Sequence, residues 1–167
     1  MTKTTETFTN KPFIRSVEWK DDHILLLDQQ QLPHQTTYIP LTTIENVWNS
    51  IHSLKVRGAP AIGIAAAFGL ALWAAQSTQP STEQFQIELK AKRDYLASSR
   101  PTAVNLEWAL DRLLNKVSNV REVKDVINIL LQEALEIQKQ DEVVCRKIGE
   151  YGLSLLNDGD TILTHCN

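Results

Sequence analysis

The sequence predicts an α+β chain: a small antiparallel sheet first, then a mainly helical body, then one closing strand that opens an α/β layer. Three observations carry this. β-forming residues dominate 13–40, and the apolar period turns helical from Thr42 onward. An apolar run over 61–75 is bounded by a proline start and a polar loop, as in a helix enclosed on every side. An Asp158-Gly159 turn then precedes Thr161-Ile162-Leu163-Thr164, a β-forming segment.

The elements follow in order. Residues 1–12 are polar and Thr-rich and read as a flexible arm. Ile14, Val17 and Trp19 alternate, Asp21-Asp22 makes a turn, and Ile24-Leu25-Leu26-Leu27 is a short apolar strand. A polar loop over 29–34 leads to a third strand around Thr36-Thr37-Tyr38-Ile39. Thr42 with Glu45 forms a capping box for a helix whose face is Ile44, Val47, Trp48, Ile51 and Leu54. Arg57-Gly58-Ala59 breaks it, and Pro60 stands in the first turn of the next helix, where its missing N–H removes nothing. Gly63, Ala67 and the neighbouring alanines allow close backbone approach. Ser81 with Gln84 caps a third helix through Phe85, Leu89 and Leu96. Arg100-Pro101 interrupts, and Thr102 caps a fourth through Leu106, Ala109, Leu110 and Leu113 to Val117. From Val120 to Leu156 there is no proline. The stripe Val123, Ile127, Leu130, Ala134, Ile137, Val144, Ile148, Leu155 predicts one long helix, or two with a bend near Gln140.

The terminal strand has no sequence-adjacent partner for its backbone groups. A helix, an Asp-Gly turn and an apolar strand ordinarily open a parallel α/β sheet. The expectation is therefore a domain over 13–156, the start of a truncated second domain over 157–167, and a longer parent protein. The competing reading pairs the strand with the N-terminal hairpin.

Composition narrows the function. A chain with 43% hydrophobic and 22% charged residues is globular, not disordered. A net charge of −3 argues against a general electrostatic grip on nucleic acid. No signal peptide is visible, and the fifteen-residue apolar run is short for a membrane span, so no membrane partner is expected. Cys145 and Cys166 make no disulfide framework, and the four histidines show no metal spacing. A reducing, cytoplasmic setting without a metal is expected. The four tryptophans read as core anchors, Cys145 as core, and the mixed charges of 139–147 as a solvated helix face.

Two arginine-led loops stand out. Arg57-Gly58-Ala59-Pro60 places a glycine and a guanidinium at a helix start, whose unpaired N–H groups and positive dipole end suit an anion. Arg100-Pro101-Thr102 repeats the arrangement. For each, the plain alternative is an ordinary surface turn with a solvated arginine. Cys166, just past the predicted strand, is where ligands sit in open α/β sheets. It is either an acid–base group or an inert buried thiol. His165 beside it points to the opposite face of a strand and makes no direct pair.

Together these segments resemble a known family. Lys55-Val56-Arg57-Gly58-Ala59-Pro60-Ala61-Ile62-Gly63 is similar to the signature of the methylthioribose-1-phosphate isomerases. Arg100-Pro101-Thr102-Ala103-Val104-Asn105-Leu106, Ile148-Gly149-Glu150-Tyr151-Gly152 and Ile162-Leu163-Thr164-His165-Cys166-Asn167 resemble its further motifs, and Ser16-Val17-Glu18-Trp19 fits as well. The family shares its fold with regulatory subunits of translation initiation factor 2B.

The resemblance implies a helical N-terminal domain with a small sheet, then a Rossmann-like domain. It implies conversion of 5-methylthioribose 1-phosphate to 5-methylthioribulose 1-phosphate in methionine salvage, without cofactor and commonly in a homodimer. Arg57, Gly58, Ala59 and Arg100 would bind substrate, and Cys166 would be catalytic. The family's acid–base aspartate falls beyond Asn167, so this chain alone is expected to be inactive. Two other functions fit the motifs: a ribose-1,5-bisphosphate isomerase, and a non-catalytic regulatory relative. A methylthio substrate calls for an apolar wall, for which Trp48 and Phe68 are candidates.

Overall fold

A computed structural model of the chain describes residues 14–79 and 81–163. The arm expected over 1–12 lies outside the described residues. The described chain is mainly helical with one small antiparallel sheet, as the sequence predicts.

Strand β1 (Val17–Lys20) turns at Asp21-Asp22 into β2 (His23–Leu27), and β3 (Tyr38–Leu41) pairs with the other edge of β2. Asp21 has φ 46°, a left-handed turn that a short polar side chain tolerates. Val17 lies opposite Leu26, Ile24 opposite Leu41, and Leu26 opposite Ile39. With a side-chain period of two, these residues and Trp19 share one apolar face. That face lies on the helices, and Val17, Ile24, Leu26 and Leu41 are buried. β3 starts two residues later than expected and holds Pro40, which an edge strand accommodates.

Five helices follow among the described residues: α1 (Ile44–His52), α2 (Ala59–Gln76), α3 (Thr82–Ala97), α4 (Val104–Val117) and α5 (Val123–Leu153). α2 is the hub. α1, α3, α4 and α5 all pack on it, as do β1 and β2. Its apolar residues point in every direction, and every residue from Ile62 to Leu72 is buried. Of the helices described, α2 is long and apolar enough to cross a membrane, but here the chain's own elements enclose it. Close approach is built in: a Cβ on Gly63 would lie 2.7 Å from the Asn105 carbonyl oxygen, and one on Gly69 would lie 2.8 Å from Val47 Cγ1.

Several expectations need correction. Thr43, not Thr42, caps α1, accepting from the Asn46 N–H. Ala103, not Thr102, precedes α4, and no side chain caps that helix. α5 is a single continuous helix, and its apolar stripe is buried only in its first half. Val126, Leu130, Ala134 and Ile137 are buried, whereas Val144, Ile148 and Leu155 are exposed. Trp108 is about half exposed, with the Arg112 guanidinium 5.4 Å from its ring centroid, so it is no core anchor. Residues 161–163 form no strand, and the rest of the segment expected to be one lies outside the described residues.

Candidate active site

The Arg57 loop is built from buried anchors around an exposed tip. Val56 is buried, and the Lys55 and Val56 N–H groups both donate to the Ser50 carbonyl, at 2.9 and 3.3 Å. From the other side, Gln29 N–H donates to the Lys55 carbonyl (2.9 Å) and Gln29 Nε2 to the Arg57 carbonyl (3.3 Å). These bonds fix the backbone while the Arg57 side chain faces solvent. Gly58 then adopts φ 92° and ψ 128° as the N-cap of α2, a conformation that favours glycine. The Ile62 N–H closes the first turn on the Gly58 carbonyl at 3.0 Å. Pro60 carries no N–H, so Ala59 and Ala61 present the N–H groups that lack a helical acceptor. The positive end of α2 therefore opens beside Arg57.

Arg100 lies in a tight turn, its N–H donating to the Ala97 carbonyl (3.3 Å) and its carbonyl accepting from the Ala103 N–H (3.0 Å). The side chain is half-buried, and α4 begins at Val104. The two arginine loops lead into α2 and α4, which pack on each other. Near their starts α2 and α4 touch, with Gly63 of α2 against Asn105 and Ala109 of α4. His52, at the end of α1, reaches the Ser99 carbonyl at 3.3 Å, immediately before Arg100.

A groove of about 530 Å³ runs in front of the α2 start, walled by Gln29, Leu32, Pro33, Arg57, Asp141 and Cys145 among others. That falls within the range of small-molecule sites. Cys145 is exposed in this groove, which corrects the expectation that it is core. Asp141 lies one turn before it. Burial, and then the neighbouring Glu142 carboxylate, hold Asp141 above the ordinary carboxylate range. Sequence reasoning missed both residues as parts of this face. A signal existed: Leu130, Ala134, Ile137, Asp141 and Cys145 follow at helical spacing, so the stripe that buries the first three continues toward the α2 start.

Neither candidate for an apolar wall stands here. Phe68 is fully buried beneath Trp19, and Trp48 is stacked between His52 and Tyr95. Cys166 and His165 lie outside the described residues.

Residues 55–167 match the family model described as the initiation factor 2 subunit family. The chain belongs to the initiation factor 2 subunit family. Within it, the methylthioribose-1-phosphate isomerase of Bacillus cereus (strain ATCC 10987 / NRS 248) is 56% identical over 153 residues, 92% of this chain and 44% of that protein. The enzyme of the same name from Geobacillus thermodenitrificans is 54% identical, over 92% of this chain and 43% of that one. Two solved members share the fold. The 5-methylthioribose 1-phosphate isomerase of Pyrococcus horikoshii OT3 superposes with a TM-score of 0.84 at 35% identity, covering 87% of this chain and 41% of that one. The translation initiation factor eIF-2B subunit delta from A. fulgidus gives 0.84 at 41% identity, covering 92% and 45%. The chain spans less than half the length of the curated relatives it matches.

Proposed function

We propose that this chain is the N-terminal part of a methylthioribose-1-phosphate isomerase that converts 5-methylthioribose 1-phosphate to 5-methylthioribulose 1-phosphate. What supports this reading is the packing of α2 on α4 near their starts, each start led by an arginine loop, in a chain 56% identical to an enzyme of that name.

The substrate's chemistry explains the arrangement. Its C1 carries a phosphate ester, so the ring cannot open by simple hemiacetal reversal. The enzyme must hold the ester intact, open the ring, and move hydrogen from C2 to C1. Two guanidinium groups and the N–H groups of Ala59 and Ala61 suit a phosphate dianion, through charge-assisted hydrogen bonds and dipole alignment. Fixing the phosphate orients C1 and C2 toward an acid–base group. Cys166 is the residue we assign to that work, together with an aspartate supplied by the rest of the parent. The same reading carries a homodimeric, cytoplasmic parent that needs no cofactor.

The test is an isomerase assay on the full-length gene product. Conversion of the aldose phosphate is expected, with no turnover by residues 1–167 alone. Arg57→Ala and Arg100→Ala should each raise KM by roughly tenfold or more, as expected when a charged partner of the phosphate is removed. Cys166→Ala should lower kcat more than it changes KM. Unaltered kinetics in both arginine variants would remove the phosphate site. One observation favours a second reading, a regulatory subunit: the likeness to the A. fulgidus protein matches the TM-score of the isomerase. A full-length product that folds and binds sugar phosphates without turnover would support it.

A further inference from the structure

His52 ties the end of α1 to the residue just before Arg100, and no part of the family resemblance assigns it a role. It is the last residue of α1 and is exposed, yet its ring is fixed on both sides. One face stacks on Trp48, with centroids 4.6 Å apart and planes 20° from parallel. Its Nδ1 lies 3.3 Å from the Ser99 carbonyl oxygen. A carbonyl only accepts, so Nδ1 carries the hydrogen and donates.

There is little slack on either side of this bond. Between His52 and Arg57, the Lys55 and Val56 N–H groups are tied to Ser50, and Val56 is buried. Ser99 is buried and directly precedes Arg100. Trp48 adds a second tie, donating from Nε1 to Ser98 Oγ at 3.0 Å while stacking on Tyr95. The end of α1 is thus held to the end of α3 at the point where each helix hands the chain to an arginine loop.

The need for such a tie is electrostatic. Two guanidinium groups aimed at one small anion repel each other before the anion arrives. A flexible pair would splay, and ligand binding would have to draw it together again. Groups held in place beforehand leave more of the binding energy for the ligand.

We propose that His52 is a positioning residue. Its Nδ1–H holds the Ser99 carbonyl, and through it Arg100, in register with the Arg57 loop, so that both cations meet one sugar phosphate. The inference rests on the reading of the two loops as a single phosphate site.

Two substitutions in the full-length enzyme separate the donor from the stack. His52→Phe keeps an aromatic ring on Trp48 and removes the donor. His52→Asn loses the ring and places an amide N–H near the position of Nδ1. With 5-methylthioribose 1-phosphate as substrate, His52→Phe should raise KM roughly three- to tenfold, the loss expected for one hydrogen bond, with a smaller change in kcat. His52→Asn should keep KM close to that of the unsubstituted enzyme even where its melting temperature falls. An unchanged KM in His52→Phe, or an equal rise in both variants, overturns the proposal. Arg57→Ala and Arg100→Ala, run alongside, tell the two ideas apart. If they raise KM and His52→Phe does not, only the positioning role falls. If they too leave KM unchanged, the phosphate site falls and the positioning role with it.

Discussion

Gly58 has nothing within 4 Å of where a Cβ would stand, yet its φ is 92°. Space is therefore not the reason for a glycine; backbone strain is. Gly58→Ala should destabilise the fold by about 1–3 kcal/mol, the cost of holding an L residue in that region. The alternative is a loop that relaxes to negative φ and turns Arg57 away from the α2 start. Denaturant unfolding reads the first outcome, and KM in the proposed full-length isomerase the second. If neither moves, the strained cap contributes nothing. At this scale the two arginine-led helix starts were legible because each arginine precedes a proline and a helix start, a local pattern. The place of Asp141 and Cys145 beside the groove was not legible, because it depends on which way a long helix faces, and only packing against α2 fixes that.

Between elements, α4 and α5 are clasped by one acidic residue. Arg112 Nε and Nη2 reach Glu133 Oε1 at 2.7 and 2.6 Å, and Lys116 Nζ lies 3.2 Å from Oε2. Burial opposes the charge on Glu133, but the hydrogen bonds and charges of Arg112 and Lys116 outweigh it and leave its carboxyl below the ordinary glutamate range. A carboxyl depressed in the folded state stabilises that state above the unfolded value of about 4.3, and this contribution fades as pH falls toward the folded value. Stability is therefore expected to decline on acidification from that point downward. Glu133→Gln should flatten this part of the profile and cost about 1.5–3 kcal/mol at neutral pH, the range for a hydrogen bond to a charged group. Equal pH profiles for the two proteins would show that the clasp is inert. The elements themselves were largely legible, because apolar spacing and proline breaks are local. The caps slipped because Thr42 and Thr43 each have an acceptable partner three residues on, Glu45 and Asn46, and sequence alone does not choose between them. At α4 the Arg100 turn closes on Ala103, so the helix starts after it, beyond the reach of Thr102 as a cap.

Across the whole molecule, α5 is supported unevenly. Its first half is packed on α2 and α4 and buries Val126, Leu130, Ala134 and Ile137. Side-chain ties then continue as far as Gln138, which donates to the Val17 carbonyl (2.6 Å), and Glu142, which accepts from Arg15 (2.8 Å). Past Cys145, the residues Ile148, Tyr151 and Leu153 are 65%, 74% and 71% exposed, so none of the described residues packs over the last turns. Repeating apolar residues reveal a helix but not whether a neighbour covers it, and for this reason the stripe alone does not tell which half is buried. A helical segment without tertiary cover has only its propensity to sustain it, and a few turns in water are marginal. Amide hydrogen exchange on the 167-residue chain should therefore be slow from Val126 to Ile137, where opening requires disruption of the α2 core. It should be faster by orders of magnitude over 146–153, where fraying suffices. Uniform protection along α5 would mean that the far half is covered in solution, by the chain itself or by a second copy, and a concentration series would separate the two.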